Sequence, residues 1–128
     1  MVASITDRHI TSDLAVRTLL KTLDSQPVSK KGLILHSDQG SQYTSKAFVG
    51  FCESSGVSQS MSKAGYPYDN APMERYFNTL KNECTNLYEF RTEEEMYQAV
   101  EEFACVTYNH VRPHSYNGYK TPFEARCA

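Results

Sequence analysis

A four-residue apolar run, "LILH" at 33–36, leads directly into "SDQGSQY" at 37–43, and this junction constrains the fold more than any other stretch. The run is too short for a helix. It suits a strand buried on both faces, which favours a sheet covered by helices. Asp38 follows the strand, and Gly40 permits a tight turn just after it. In open α/β sheets, ligands bind outside the carboxyl ends of the strands. Asp38 is therefore a candidate functional group, although on position alone it reads first as a turn-former bonding nearby backbone.

The flanking segments extend the pattern. "VASIT" at 2–6 alternates weakly and predicts a short strand. Thr11 or Ser12 caps a helix with Val16, Leu19, Leu20 and Leu23 at helical spacing. "DSQPVSKKG" at 24–32 is a loop closed by Pro27. Thr44 or Ser45 opens a second helix, with Ala47, Phe48, Phe51 and Cys52 on one stripe and its end near Gly56. "VSQSM" at 57–61 alternates as a strand. "SKAGYPYDNAP" at 62–72 is an irregular loop, from which Asp69 or Asn70 caps a helix with Pro72 in its first turn. Met73, Phe77 and Leu80 form the expected inward side of that helix. Thr92 and Glu95 make a capping-box pattern. The long helix it starts turns Met96, Val100, Phe103, Ala104 and Tyr108 inward and stops at Pro113. Thr121, followed by Pro122, starts a last short helix. Strands alternating with helices argue for one layered α/β domain spanning 1–128.

Composition removes several classes. A net charge of −2 gives no overall basic footprint, leaving only "SKK" at 29–31 and "HVRPHSYNGYK" at 110–120 as local basic stretches. The four cysteines lack zinc spacing and fit reduced thiols in a cytosolic protein. No segment approaches the roughly 20 apolar residues of a membrane span. Glycine-rich nucleotide loops are also missing.

Glu74 alters the reading of Asp38. It falls in the first turn of the helix after the irregular loop, with 35 residues between the two acids. Lys81 follows seven positions on, on the same helix face. A glutamate there also simply suits a helix N-terminus. His110 and His114 have metal-pair spacing, but Pro113 breaks the helix between them. The acids Glu93–Glu95 read as a helix start.

Together, "LILHSDQGSQYTS" and "GYPYDNAPMERYFNTLKNE" resemble the catalytic core of retroviral-type integrases and bacterial insertion-sequence transposases, in particular the IS3-like group with its D,D(35)E pattern. "YNHVRPHSYNGYKTPFEA" is similar to that group's Y-N-x-x-R-P-H…T-P-x-E ending, so the resemblance runs over nearly the whole chain. It implies an RNase H-like three-layer fold and two-metal phosphoryl transfer on DNA with Mg²⁺ or Mn²⁺. Asp38 and Glu74 would be two of three metal-binding carboxylates. Lys81 would meet the DNA backbone near the cleaved end, Tyr66 and Tyr68 would stack on or wedge the terminal bases, Asn70 would be a further DNA contact, and the tail would pack, with Arg112 at most touching the DNA backbone. Gln39, Gln42 and Tyr43 would support Asp38 or simply satisfy its turn.

The family's first aspartate lies on an earlier strand, and only 37 residues precede Asp38 here. Asp7 and Asp13 match later positions and do not take its place. The expectation is an N-terminally truncated core lacking two strands, inactive alone, whose longer parent carries out DNA transposition in the bacterial cytoplasm. Losing those strands would open an apolar edge on the 33–36 strand and favour a homo-oligomer, with strand exchange as one route. Two other readings stay open: a non-catalytic DNA-binding or assembly remnant, and an RNase H-like nuclease of unrelated role.

Overall fold

The computed structural model describes residues 1–26 and 32–128, so Pro27 and the basic "SKK" lie outside the described residues. Two compact units emerge: Asp7–Arg75, and Met1–Thr6 together with Tyr76–Ala128.

In the first unit, α1 (Ser12–Ser25) starts where Thr11 Oγ1 accepts the Leu14 N–H at 3.1 Å. Strand β1 (Ile34–Ser37) leads through a short helix, α2 (Ser41–Thr44), to α3 (Lys46–Ser55). Ser45 caps α3, and Gly56 ends it in the left-handed region at φ 73°. Strand β2 (Ser58–Met61) pairs parallel with β1, Ile34 opposite Ser58 and Ser37 opposite Met61. Leu19, Leu23, Phe48, Cys52 and Val57 form the buried core, and Leu33, Leu35 and Tyr43 pack against it. Phe48 is 1% exposed, so its burial contributes roughly 1.5–3 kcal/mol.

Three expectations change here. First, β1 is covered on one face only: Ile34 is 67% exposed and His36 is exposed, while Leu35 is partly covered and Ser37 buried. Leu33 and Leu35 pack toward the helices, so Ile34 between them and His36 after them face away. Second, α2 was not foreseen; four residues are too few to show a period. Third, residues 2–6 form no strand. An extended segment needs a ladder partner. Instead the Asn109 side chain accepts from the Met1 ammonium at 2.6 Å and donates to the Met1 carbonyl at 2.7 Å, all within the second unit.

A 3₁₀ turn (Pro67–Asn70) feeds α4 (Ala71–Leu80), which runs on into a π-helical turn (Lys81–Thr85). α5 (Glu93–Glu102) likewise continues as a nine-residue π segment (Phe103–Val111). α6 (Pro122–Cys127) closes the chain behind a complete capping box of Thr121 and Glu124. The second unit's core comprises Tyr76, Leu80, Cys84, Val100, Phe103 and Ala104, with Met96 and Tyr108 packed on it.

The inward row of α4 and the π turn after it is therefore Tyr76, Leu80 and Cys84. Met73 and Phe77 are 43% and 49% exposed. Tyr76 wins its place through an edge-on contact with Tyr108, ring centroids 5.0 Å apart. The Thr92 cap forms, but Glu95 reaches back to the Arg91 N–H at 2.9 Å, one residue earlier than a capping box requires. Asp69 does not cap α4; its Oδ2 turns back to the Lys63 N–H at 3.4 Å.

Candidate functional site

Asp38 stands directly after β1. Its Oδ1 accepts the Gly40 N–H at 2.8 Å, closing a side-chain turn. A Cβ at Gly40 would lie 2.9 Å from that same oxygen and 2.7 Å from the Gln42 amide, so the glycine is needed for close approach. Asp38 is thus both turn-former and exposed carboxylate. Burial first, and the Asp38 charge second, push the Tyr43 hydroxyl above its ordinary pKa, against an opposing bond from Gln42.

Segment 62–70 is tied down at several points. The Ser62 N–H continues the ladder to the Ser37 carbonyl at 2.8 Å, and Gln39 Nε2 donates to the Ser62 carbonyl at 3.1 Å. His36 lies 3.0 Å from the Ser60 and Ser62 hydroxyls and 3.1 Å from the Asp69 carbonyl. Sequence reasoning passed over this histidine, because its partners are 24 to 33 positions away.

Glu74 rises from the first turn of α4. It lines one open cleft of about 270 Å³ with Asp38, Gln39, Asn70 and Tyr66, and segment 62–65 supplies a wall. Lys63, also unforeseen, lines the cleft and holds its ammonium 6.0 Å from the Tyr66 ring centroid. The "SK" before "AGYP" was its only trace. Of the other expected residues, Gln42 packs at the turn outside the cleft lining and Tyr68 is 87% exposed. Lys81 and Arg112 belong to the other unit.

Arg112 grips Glu83 with two bonds of 2.8 Å, and this hydrogen bonding holds the Glu83 carboxyl below its ordinary pKa. His114 packs edge-on against Tyr108, and burial followed by the Arg112 charge lowers its pKa. His110 packs on Phe123 instead, so the two histidines have separate partners.

Among the described residues, no cluster of three or more His, Cys, Asp or Glu side chains forms. Two carboxylates and an asparagine amide line the cleft, a hard-oxygen set that fits part of a Mg²⁺ or Mn²⁺ site. No helix among the described residues is long and apolar enough to cross a membrane.

Solved structures share this architecture. A chain of the simian T-cell lymphotropic virus intasome matches with TM-score 0.73 and 19% identity, over 95% of this chain and 42% of that one. The catalytic core domain of BIV integrase matches with TM-score 0.65 and 24% identity, over 89% and 69% of the two chains. The fold is thus RNase H-like, of the integrase-core type, with a two-stranded sheet among the described residues.

Integrase core domain models match residues 55–122 and 1–67, and the chain belongs to that family. The IS600 uncharacterized 31 kDa protein of Shigella sonnei is 41% identical over 114 residues, 89% of this chain and 42% of that protein. The transposase for insertion sequence element IS904 of Lactococcus lactis is 45% identical over 91 residues, 71% and 36% of the two chains. The chain spans 42% and 36% of the length of these two relatives.

Proposed function

We propose that this chain is part of a DNA transposase core, and that a longer polypeptide containing it performs metal-dependent phosphoryl transfer on DNA ends. One observation carries the reading: Asp38 and Glu74, from separate elements, line the same open cleft. A divalent ion, when bound, supplies Lewis acidity and activates a water or a DNA 3′-hydroxyl. Asp38 and Glu74 would hold it, with Asp38 fixed by the Gly40 amide. Lys63 and Tyr66 offer a cation and an aromatic face beside the cleft, suited to a phosphate and an unpaired terminal base. Tyr68 and Asn70 stand beside the DNA end, and Lys81 is exposed on the other unit. Arg112 is assigned to anchoring the tail on Glu83, because its guanidinium is already engaged there.

Two carboxylates hold a divalent ion weakly, so the 128 residues alone are expected to lack strand-transfer activity. Self-association is the route to an assembly in this reading, with Ile34 exposed on β1 as one contact.

Titration with Mn²⁺ tests the reading. Asp38→Asn and Glu74→Gln should each weaken binding to this chain by about ten-fold or more. In the longer transposase, either change should abolish strand transfer on element-end DNA. Equal Mn²⁺ affinity in the chain and in the double variant would refute the metal site, and DNA binding without metal binding would favour the non-catalytic module.

A further inference from the structure

We propose that His36 is a positioning residue that sets where Glu74 stands relative to Asp38. The proposal rests on the metal-site reading of the cleft and adds to it a residue outside the carboxylate pair.

The inference starts from what the ring bridges. His36 is on β1, two residues before Asp38. Its Nδ1 meets the Ser60 hydroxyl of the neighbouring strand, and its Nε2 meets the Ser62 hydroxyl and the Asp69 carbonyl. A carbonyl only accepts, so Nε2 donates to it. In the neutral ring Nδ1 then accepts from Ser60. The Asp69 carbonyl belongs to the 3₁₀ turn that feeds α4, five residues before Glu74. Among the described residues, no other β1 side chain bonds that turn. Ile34 and Leu35 are apolar, and the Ser37 hydroxyl donates to the Asp38 carbonyl.

The turn's remaining ties are local. Asp69 N–H bonds the Tyr66 carbonyl at 3.3 Å, and Asp69 Oδ2 meets the Lys63 N–H at 3.4 Å. Both hold the segment's shape, and neither refers it to the strand that leads to Asp38. The planar imidazole does so with two nitrogens fixed on one rigid ring. His36 is exposed and contributes nothing to the buried core, so removing it should leave folding intact.

The test uses the whole 128-residue chain with His36→Ala, His36→Gln and His36→Asn. The glutamine amide nitrogen reaches about where Nε2 lies, and that of asparagine reaches only as far as Nδ1. Amide hydrogen exchange in 67–74 and Mn²⁺ affinity are read together. Alanine and asparagine should speed exchange and weaken Mn²⁺ binding by about ten-fold, and glutamine should restore both. Unchanged exchange in His36→Ala overturns the proposal. So does faster exchange with unchanged Mn²⁺ affinity, or rescue by asparagine as good as by glutamine, which would place the role at Ser60. Should the unmodified chain bind no Mn²⁺, the metal-site reading falls by itself, and exchange at the turn still decides whether His36 positions α4.

Discussion

At the scale of single residues, the turn after β1 decides the most. Asp38 holds the Gly40 amide, and the space beside Gly40 is filled by the Asp38 carboxylate and the Gln42 amide. Both obstructing groups are ends of side chains. A methyl group at position 40 would therefore move the carboxylate more readily than it would unfold the domain. Gly40→Ala should cost about 1 kcal/mol or less in stability. It should weaken Mn²⁺ binding far more than that figure implies. Denaturant unfolding and Mn²⁺ titration on the same preparation check this, and a large stability loss with intact binding would contradict it. The Asp38–Gly40 relationship was legible in the sequence because it is local. His36 and Lys63 were not, because their significance arises only when segment 62–70 folds back on β1.

Among the elements, the helix starts were the most legible. Thr92 and Thr121 cap as their local sequence predicts, and Thr11 and Ser45 cap where the sequence offered each beside one neighbour. Faces were harder. Reading Met73 and Phe77 as inward passed over Tyr76, because a tyrosine carries a polar tip and its burial depends on Tyr108, 32 positions away. The π winding of 103–111 likewise has no sequence period to reveal it. Burial of Tyr76 has a measurable consequence. Desolvation, and then the neighbouring Tyr108, push its hydroxyl from 10.0 up to about 12. Unfolded chains release this proton first, so the stabilisation is complete below pH 10 and is lost as pH rises toward 12. The loss amounts to roughly 2–3 kcal/mol. Tyr76→Phe should remove that component of alkaline destabilisation, seen as a smaller difference between urea unfolding at pH 9 and at about pH 11.5. An identical pH dependence in both proteins would exclude it.

For the whole molecule, family and fold class were legible because the two acids, their spacing and the tail motif lie in the primary sequence. The covering of β1 was not, because it depends on how many layers surround the strand. Ile34 at 67% exposure marks the uncovered side. Ile34→Lys should shift the chain toward monomer in sedimentation velocity at high concentration, while unmodified protein associates. A monomer in both cases would remove the basis for assembly through this strand. "Y-N-x-x-R-P-H" is taken up in packing: Tyr108 packs on Tyr76, Asn109 holds Met1 and Arg112 clasps Glu83. Glu83 and Arg112, 29 positions apart and both partly exposed, form a pair worth about 1 kcal/mol or less. The chain between them is thus closed by a clasp that water can reach.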